Sequence, residues 1–550
     1  MSHEHTVAST ALDVLAASGF ETGFGIPGVH NLAIWNAESP DRPRIIGVRH
    51  EQAAGYACDA LYRATGRPGA AFLTSGPGAA NILAAFGEAY TAYSPMVVLS
   101  SDVGMRLRRP GVTRGILHEM QDQAAMFSAF GAHARNSASP WEAVANVVEA
   151  VARTLTAPSQ PVYVGIPSDV LEAPWDAAAP EAVPESRRPV DDEGIAALAD
   201  LLSKSTRVIL WLGGGVNAAG MEESVRDLAR RLGAVAVTSF AGRGLLAGDP
   251  CLIDSPVHEP EVEAVLRQAD LLLVLGSDFD AMNTKNWRLP LPQRTAVVAL
   301  GNQVENTIDW DVRVSSDLRD ALPALEDALA ERFVRADRDP WLADAQQIRG
   351  RVFERMRRDQ RVASALALVD AVEAGWSQAD AVVCDMAIAG FWVALYARQD
   401  RPRRAQYPVG WGTLGYGLPA AMGPASQGIA TLCVCGDGGP MFALGELATY
   451  AQHSLPITLL VVDDGGYGML RFDQQVFGHP ERGVDLVTPD WVALAGSFGI
   501  TGLEVDHPGQ LVAALRAARE ANARGEPRVL VWKQALYPPR TTSPRWFESG

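Results

Sequence analysis

Two aspartates, Asp437 and Asp464, lie close behind apolar runs that have the composition of buried strands. Asp437 stands between two glycines after residues 430–435, and Asp464 follows residues 457–462 and precedes two glycines. Carboxylates at the ends of neighbouring strands can share a hard divalent cation, and adjacent glycines let the backbone approach a phosphate closely. The pattern therefore predicts a site for a divalent cation and a phosphate group.

Two further segments carry residue types that could take part in chemistry. Glu51 heads a helical run over residues 51–64, where a carboxylate most often interacts with the helix dipole. Residues 410–417 are rich in glycine and predict a loop that runs into a helix, with Pro419 in its first turn. On composition alone, Leu414 in this loop would be an ordinary packed side chain.

Three segments must position these residues, at about 1–175, 190–335 and 360–540. Each has apolar, strand-like runs that end in glycine-rich turns and lead into helical stretches, which is typical of α/β domains. A chain of 550 residues fits three domains of roughly 100–200 residues each. Residues 174–189, rich in proline and alanine, are predicted to be a linker. The tail, residues 541–550, has too little apolar content to fold alone and should be disordered or draped over the body.

Bulk composition argues against several classes of partner. The net charge of −17 is unfavourable for binding nucleic acid or an anionic membrane surface. No apolar run approaches the roughly 18 residues of a membrane span, and residues 1–10 lack the apolar core of a signal peptide. The five cysteines are expected to be reduced packing residues. Together these features predict a cytoplasmic protein.

Three consecutive glycines, residues 213–215, follow an apolar run in the middle segment. They lack the spaced G-x-G-x-x-G pattern of dinucleotide-binding turns. A structural turn is the favoured interpretation, and contact with a nucleotide or with FAD is the alternative, which the sequence does not support further.

Taken together, these motifs resemble those of thiamine diphosphate (ThDP) enzymes of the acetolactate synthase and 2-oxo acid decarboxylase superfamily. The segments that carry the resemblance are residues 24–28, 49–51, 64–69, 74–78, 410–421 and 436–468. The resemblance implies an α/β protein with three doubly wound parallel-sheet domains: pyrimidine-binding (1–175), central (190–335) and diphosphate-binding (360–540). Within the superfamily, the sequence is most similar to the branch that contains 5-guanidino-2-oxopentanoate decarboxylase.

The resemblance also implies roles in cofactor binding. The family residue that matches Glu51 hydrogen-bonds the aminopyrimidine ring and favours its imino tautomer, whose nitrogen can take the proton from the thiazolium carbon. The residue that matches Leu414 wedges between the two rings, and the Gly412 carbonyl matches an acceptor for the aminopyrimidine. The full implied cofactor-binding set is Pro27, Gly28, Glu51, Gly76, Asp385, Gly412, Thr413, Leu414, Gly436, Asp437, Gly438, Gly439, Asp464, Gly466, Tyr467, Gly468 and Met469.

The implied magnesium ligands are the side chains of Asp437 and Asp464 and the carbonyl of Gly466, which diphosphate oxygens and a water would complete. The two aspartates are 27 positions apart, which is usual for the family, but the family motif ends Asn-Asn and this one ends Asp463-Asp464. The extra charge of Asp464 should tighten metal binding and make diphosphate binding more metal-dependent. The alternatives are a harmless substitution or a site that has lost the cofactor. No role is predicted for Asp463.

Three residues are candidates on the substrate side. His118 matches a polar position that faces the reacting carbon in relatives, and His30 is a second catalytic candidate. A neutral histidine can donate or accept a proton near pH 7. Asp473 stands where acetolactate synthases carry a tryptophan, and it could pair with a cationic substrate tail or simply be solvated.

The resemblance implies a ThDP- and Mg²⁺-dependent lyase that decarboxylates a small 2-oxo acid, or cleaves its C–C bond, through a ThDP enamine. The alternatives are a carboligase such as acetolactate synthase, a 2-hydroxyacyl lyase, and a non-catalytic ThDP-binding protein. Because Glu51 and the metal motif lie in different domains, family precedent implies a homodimer or homotetramer with sites at subunit interfaces. No nucleic acid or membrane partner is expected.

Overall fold

The computed structural model describes residues 5–109, 111–184, 187, 189–301, 308–330, 340–377 and 379–546. These residues form three sheets of six, five and six strands, in which every pair of neighbouring strands is parallel. Helices follow the strands throughout. The prediction of three doubly wound parallel-sheet α/β domains is confirmed.

The first domain surrounds a six-stranded sheet. Its strands are β1 (Thr22–Gly25), β2 (Arg44–Gly47), β3 (Gly69–Leu73), β4 (Met96–Asp102), β5 (Ala134–Asn136) and β6 (Val162–Pro167). Its helices are α1 (Val7–Ala17), α2 (Leu32–Asn36), α3 (Glu51–Thr65), α4 (Pro77–Asn81), α5 (Leu83–Thr91), α6 (Ala125–Ser128), α7 (Pro140–Leu155) and α8 (Ser168–Leu171). The strand order is β2-β1-β3-β4-β6-β5, so the chain winds outward in both directions from the middle of the sheet.

The middle domain surrounds a five-stranded sheet of order β11-β10-β9-β7-β8. These strands are β7 (Val208–Leu212), β8 (Val235–Thr238), β9 (Leu271–Leu275), β10 (Arg294–Val298) and β11 (Val312–Val314). The helices are α9 (Asp192–Ser203), α10 (Gly214–Ala219), α11 (Glu222–Leu232), α12 (Pro260–Gln268) and α13 (Leu318–Ala330), and α14 (Pro340–Ala345) and α15 (Ile348–Arg357) lead onward. The central strands β7 and β9 are apolar and buried throughout, as strands covered by helices on both faces should be.

The third domain surrounds a six-stranded sheet of order β13-β12-β14-β15-β17-β16. These strands are β12 (Ala381–Cys384), β13 (Ala405–Gln406), β14 (Thr431–Gly436), β15 (Ile457–Asp463), β16 (Thr501–Val505) and β17 (Arg528–Lys533). Its helices are α16 (Ala363–Gly375), α17 (Ile388–Tyr396), α18 (Gly417–Ala420), α19 (Met422–Ala425), α20 (Glu446–Gln452), α21 (Gly468–Val476), α22 (Trp491–Ser497) and α23 (Pro508–Asn522). This order repeats that of the first domain strand for strand.

One apolar core joins the first and third domains. It contains buried residues from both, including Ala57 and Leu61 of α3 and Met422 of α19. The helices touch so closely that a Cβ on Gly423 would lie 2.4 Å from the Ala57 carbonyl oxygen and 2.5 Å from the Leu61 amide nitrogen. The two domains are therefore packed as one body rather than tethered side by side.

The glycines at 213–215 have a packing role. The Gly215 amide donates to the Gly276 carbonyl at 2.8 Å, and a Cβ on Gly213 would lie 2.1 Å from that same oxygen. Glycine is needed there because the ends of β7 and β9 meet backbone to backbone. This contact supports the structural turn, and nothing in it supports a nucleotide.

Residues 541–546 of the tail pack on the body. Trp546 is buried and its ring stacks on His258 with 6.2 Å between ring centroids. Residues 547–550 lie outside the described part of the chain. All five cysteines are buried and free of disulfide bonds. None of the helices in the described ranges is long and apolar enough to cross a membrane.

Candidate active site

A cleft of about 740 Å³, counting its open mouth, lies at the carboxyl ends of β14 and β15. We call it the third-domain cleft. The predicted residues that line it are Leu414, Gly436, Asp437, Gly438, Gly439, Asp464, Gly466, Tyr467, Gly468 and Met469. Residues from the start of α17 complete the wall, together with Val462, Leu470, Gln534 and Leu536. The cleft therefore occupies the edge of a parallel sheet at which α/β proteins generally bind ligands.

Asp437 is 1% exposed, and neither of its carboxylate oxygens has a hydrogen-bond partner among the described residues. Burial, together with the nearby charges of Asp464 and Asp463, raises the pKa of Asp437 to about 7. A buried carboxylate without partners is costly, and a bound cation is one of the few ways to compensate it. The environment of Asp437 therefore fits a metal ligand.

Asp464 turns its carboxylate toward the same cleft. Its Oδ2 lies so close to the α21 terminus that a Cβ on Gly468 would come within 2.0 Å of it, which explains the glycine. Burial raises the pKa of Asp464, while Arg471, 3.9 Å away, acts in the opposite direction. No group of three or more His, Cys, Asp or Glu side chains is arranged to hold a metal in the described parts of the chain. A metal here would thus use two carboxylates and carbonyl oxygen, and Gly466 lies in the same lining.

Asp463 has a local structural role that the sequence reading did not identify. Its Oδ1 accepts a hydrogen bond from the Gly465 amide at 3.1 Å, and its Oδ2 accepts one from the Thr488 hydroxyl at 3.2 Å. This is an Asx turn, in which the side chain fixes the backbone two residues on. Asp463 therefore shapes the turn that presents Asp464 and Gly466.

Leu414 reaches the cleft from a loop that is held by a buried carboxylate. It is 37% exposed and lies between Gly412 and Gly415, which both have positive φ. Asp385 is fully buried, and its Oδ1 accepts hydrogen bonds from the Met386 amide at 2.7 Å and the Gly415 amide at 3.0 Å. Burial raises the pKa of Asp385 to about 6. An exposed apolar side chain on a fixed loop fits a wedge for the rings of a cofactor.

Gly412, Thr413 and Asp385 do not themselves line the cleft. The Thr413 hydroxyl faces the first domain and lies 3.5 Å from Glu88, which also accepts from the Trp411 amide at 3.3 Å. Asp385 lies behind the loop. The contacts of these residues fix the loop that carries Leu414.

Glu51 begins α3 on the first domain and is 8% exposed. Its Oε2 accepts a hydrogen bond from the Asn81 side-chain amide at 2.9 Å. No described residue bonds its Oε1. One oxygen is therefore held in place while the other is available to a ring nitrogen, which fits the predicted contact with an aminopyrimidine.

Gly76, Gly28 and Pro27 lie near Glu51 at the strand ends of the first sheet. Gly76 has a φ of +62°, and a Cβ there would lie 2.7 Å from the Cβ of His118. Its amide donates to Gln123 Oε1 at 2.7 Å. The Gly28 amide donates to Asn31 Oδ1 at 2.7 Å, and Pro27 is exposed just before it.

The two candidate histidines meet across a serine. Ser75 Oγ lies 2.6 Å from His30 Nδ1 and 3.1 Å from His118 Nδ1, and the two rings are 5.4 Å apart. Burial lowers the pKa of His30, a charge on His118 would lower it further, and Asp102 opposes both. We call Glu51, Asn81, His30, Ser75 and His118 the first-domain polar group.

The predicted catalytic and metal-binding side chains thus fall into two sets, the first-domain polar group and the lining of the third-domain cleft. None of the first-domain polar group lines the third-domain cleft of the same chain. Asp473 lies in neither set. It is on α21, one helical turn beyond Met469, and its Oδ1 is shielded from solvent with no hydrogen-bond partner among the described residues. Burial raises the pKa of Asp473.

Three contacting residues were missed by the sequence reading: Asn81, Ser75 and Arg471. Ser75 lay inside a quoted motif, and Asn81 follows it on α4, so their nearness in the sequence to Gly76 was an available signal. Arg471 forms an ion pair with Asp485 at 3.0 Å and faces Asp464. The only sequence signal for it was its position in the first turn of the helix that follows the metal motif.

Comparison with known families supports this geometry. Residues 5–126 match the description "Thiamine pyrophosphate enzyme, N-terminal TPP binding domain", residues 195–325 the central domain of that enzyme, and residues 385–531 its C-terminal TPP binding domain. The first and last of these ranges contain the first-domain polar group and the third-domain cleft respectively, apart from the last residues of the cleft.

Curated relatives match along nearly their whole length. The chain is 32% identical to the protein named probable 2-ketoarginine decarboxylase AruI of Pseudomonas aeruginosa, over 93% of this chain and 91% of that protein. It is 28% identical to acetolactate synthase of Bacillus subtilis, over 94% and 91% respectively. It is 29% identical to the acetolactate synthase large subunit of Parasynechococcus marenigrum, over 90% and 83%.

The order of the matched domains, the cleft with its unpartnered Asp437 carboxylate and the extent of similarity to these relatives agree with one another. The chain belongs to the thiamine diphosphate enzyme family, in its group of decarboxylases and carboligases.

Proposed function

We propose that this enzyme uses ThDP and Mg²⁺ to decarboxylate a 2-oxo acid, acting in the cytoplasm as a homodimer or homotetramer. The observation that carries the proposal is the unpartnered carboxylate of Asp437 beside Asp464 in the third-domain cleft, which differs in chemistry from the hydrogen-bonded histidines of the first domain. When bound, ThDP supplies an acidic thiazolium carbon that can add to a carbonyl and accept the electrons of the broken C–C bond.

The chain's own residues would prepare and serve that chemistry. Asp437, Asp464 and the Gly466 carbonyl would hold Mg²⁺ and through it the diphosphate. Leu414 would keep the two cofactor rings folded together. Glu51 Oε1 would hydrogen-bond the aminopyrimidine, and His30 and His118 would move protons at the substrate.

The first test is a product profile. Purified protein with ThDP and Mg²⁺ would be incubated with pyruvate, 2-oxobutyrate and 5-guanidino-2-oxopentanoate, and carbon dioxide, aldehydes and 2-hydroxy-3-oxo acid products would be measured. We expect carbon dioxide and the corresponding aldehyde in equal amounts. Acetolactate-type products would instead favour the carboligase, which the similarity to acetolactate synthases keeps as the second candidate. Cofactor binding with no turnover would indicate a non-catalytic binding protein.

We further propose a substrate with a cationic tail, recognised by Asp473. Met469 and Leu470 line the cleft, and Asp473 follows them by one turn on the same face of α21. Its carboxylate is partly buried, and no cation pairs with it in the described chain, so a guanidinium or ammonium group would satisfy it. The similarity to a protein named for 2-ketoarginine agrees with this choice.

The variant Asp473→Asn tests whether Asp473 recognises the cationic tail of the substrate. For a guanidinium-bearing 2-oxo acid we expect kcat/KM to fall about 10- to 100-fold, because a hydrogen-bonded charge pair is lost. For an uncharged 2-oxo acid of similar length, which serves as the matched control, we expect little change. An equal effect on both substrates would contradict a role in recognising charge.

We also propose that each active site joins two subunits, because the first-domain polar group does not line the cleft of its own chain. Co-expression of Glu51→Gln and Asp437→Asn chains provides the test. In a dimer with shared sites, mixed pairs keep one intact site, so about a quarter of wild-type activity should return. If each site lay within one chain, the mixture would stay as inactive as the separate variants.

A further inference from the structure

Ser75 is the member of the first-domain polar group that contacts both candidate histidines. It lies two residues after the end of β3 and is fully buried, and its Oγ lies between the Nδ1 atoms of His30 and His118 at 2.6 Å and 3.1 Å. The two imidazole rings are almost perpendicular, at 86°. A single hydroxyl thus connects the two histidines.

A hydroxyl group has one proton to donate and two lone pairs to accept with. It can therefore donate to only one of the two nitrogens. It could accept from both rings only if its own proton went to a third acceptor, and no described residue offers Ser75 Oγ one. When both rings are neutral and the hydroxyl donates to one of them, that Nδ1 must be bare and the other must carry a proton. The two histidines must then be opposite tautomers.

The distances indicate which histidine is which. Hydrogen bonds donated by a hydroxyl are usually shorter, about 2.7–2.8 Å, than those donated by a ring N–H, about 2.9–3.0 Å. The shorter contact is with His30 and the longer with His118. The distances therefore favour an arrangement in which Ser75 donates to a bare His30 Nδ1 and accepts from a protonated His118 Nδ1.

We propose that Ser75 fixes His30 and His118 in opposite tautomers, so that His30 offers the substrate an Nε2–H donor and His118 a bare Nε2 acceptor. This proposal rests on the proposed function for its use in catalysis. Neither Nε2 atom has a hydrogen-bond partner in the described part of the chain, and both rings are partly exposed. Ser75 is thus a positioning residue, and the two histidines are the groups that meet the substrate.

The surroundings of His30 favour its neutral form. Burial and the proximity of His118 both lower the pKa of His30. The opposing charge is Asp102, at the end of β4, and Arg108 pairs with that carboxylate and reduces its influence. The Ser75 hydroxyl is therefore placed beside a His30 ring whose neutral form is favoured.

The arrangement also allows a proton to pass without creating charge. A proton taken up at His118 Nε2 releases the proton of its Nδ1 to Ser75 Oγ, and the serine passes its own proton to His30 Nδ1. His30 then gives up the proton of its Nε2. One proton is removed and one delivered, each ring ends neutral, and the two tautomers have exchanged.

Nitrogen NMR of the cofactor-free protein tests the tautomers directly. Protein labelled with ¹⁵N only in histidine would be compared with His30→Gln and His118→Gln variants, which identify the two signals by their loss. We expect the Nε2–H form for His30 and the Nδ1–H form for His118. The same tautomer at both positions would overturn the proposal, whatever reaction the enzyme catalyses.

Ser75→Ala and Ser101→Ala form a matched pair for the functional test. Ser101 is also fully buried, at the end of the same sheet, but its hydroxyl has no partner among the described residues. We expect Ser75→Ala to lower kcat about 10- to 100-fold, with KM and ThDP affinity nearly unchanged. Its pH–rate profile should shift, and the histidine signals should lose their fixed tautomers.

Ser101→Ala should keep the wild-type values, and Ser75→Thr, which retains the hydroxyl, should restore part of the lost rate. A Ser75→Ala protein with wild-type tautomers and an unchanged pH profile would show that the serine only fills space. Wild-type tautomers as proposed, in a protein that turns over no 2-oxo acid, would separate this inference from the proposed function.

Discussion

The first and third domains share one strand order, yet the buried carboxylates at their strand ends are in opposite electrostatic states. The fourth strand of the first sheet ends at Asp102, whose carboxylate is paired with Arg108. In the third sheet, the third strand leads to Asp437, which is just as buried but has no partner for either oxygen. The first domain pairs the Asp102 carboxylate with an arginine, whereas the third leaves both oxygens of Asp437 without a partner among the described residues.

The difference teaches that topology decides where a site can be and that the residues after the strands decide what it does. The carboxyl edges of two sheets with the same strand order carry a hydrogen-bonded group of histidines in one domain and a cleft with an unpartnered carboxylate in the other. Breaking either half should therefore produce a different kind of failure.

The largest effect is expected for Glu51→Gln on the first domain. Glutamine has the size of glutamate and can still accept the hydrogen bond from Asn81, but it cannot act as an acid toward the aminopyrimidine. We therefore expect kcat to fall by about 10²- to 10⁴-fold. Steady-state decarboxylation measures the loss, and calorimetry of ThDP binding with Mg²⁺ should show an affinity close to wild type. Glu21→Gln, at an exposed position, is the control for the same chemical change. Wild-type turnover in Glu51→Gln would remove Glu51 from the mechanism.

The second largest effect is expected on thermal stability when the Asp437 and Asp102 carboxylates are replaced in turn. Without metal, Asp437→Asn should raise the melting temperature by a few degrees, because it removes a buried charge that has no partner. Asp102→Asn should lower the melting temperature, because it leaves Arg108 unpaired.

Adding Mg²⁺ and ThDP should reverse that ranking. At about 100 times the dissociation constant a ligand contributes about 2.7 kcal/mol of stability, and Asp437→Asn should lose most of this gain while Asp102→Asn keeps it. Thermal unfolding with and without the two ligands measures both changes. Equal ligand-induced stabilisation of the two variants would contradict the contrast between the domains.

A smaller effect is expected for Asp464→Asn, which restores the residue usual in the family. Asparagine keeps an oxygen ligand but removes one negative charge, so Mg²⁺ affinity should fall by about 3- to 30-fold. ThDP binding should also depend less steeply on Mg²⁺ concentration. Calorimetric titrations at several Mg²⁺ concentrations would measure this, and tighter Mg²⁺ binding by the variant would show that the charge of Asp464 is not used on the metal.

The smallest effect concerns the pH dependence set by Asp385. Burial raises its pKa to about 6, against about 3.9 in an unfolded chain. Between these values the folded protein binds more protons than the unfolded one, so the free energy of unfolding falls as pH rises from about 4 to 6.

Asp385→Asn should remove this contribution, so the difference in stability between wild type and variant should change by about 1–3 kcal/mol across that range. Denaturant unfolding at several pH values is the measurement. Parallel pH curves for the two proteins would indicate that Asp385 is ionised in the folded state at pH 4.

Much of this contrast could be predicted from the sequence, because it depends on local patterns. The apolar runs before Asp437 and Asp464 predict strand ends, and the glycine-rich segment around Leu414 predicts a loop. The turn formed by Asp463 was equally local, since its side chain bonds the amide two residues on, but it was not recognised.

What could not be predicted depends on contacts between distant segments. Ser75 meets His30 and His118 across 45 and 43 positions, and the direction of a side chain in a folded sheet is not visible in composition. The burial of Asp473 is similar: the sequence shows an acid on a helix, and only packing shows that one of its oxygens is shielded.

The apolar core shared by the first and third domains has a consequence during synthesis on the ribosome. The face of α3 that carries Ala57 and Leu61 is covered by Met422 and its neighbours, and the shared core is not complete until Val531 has emerged. At about 5–20 residues per second, the nascent first domain must wait tens of seconds with that face open. We therefore expect the growing chain to depend on ribosome-associated chaperones, and truncated products that end before the third domain to aggregate rather than accumulate as a folded domain.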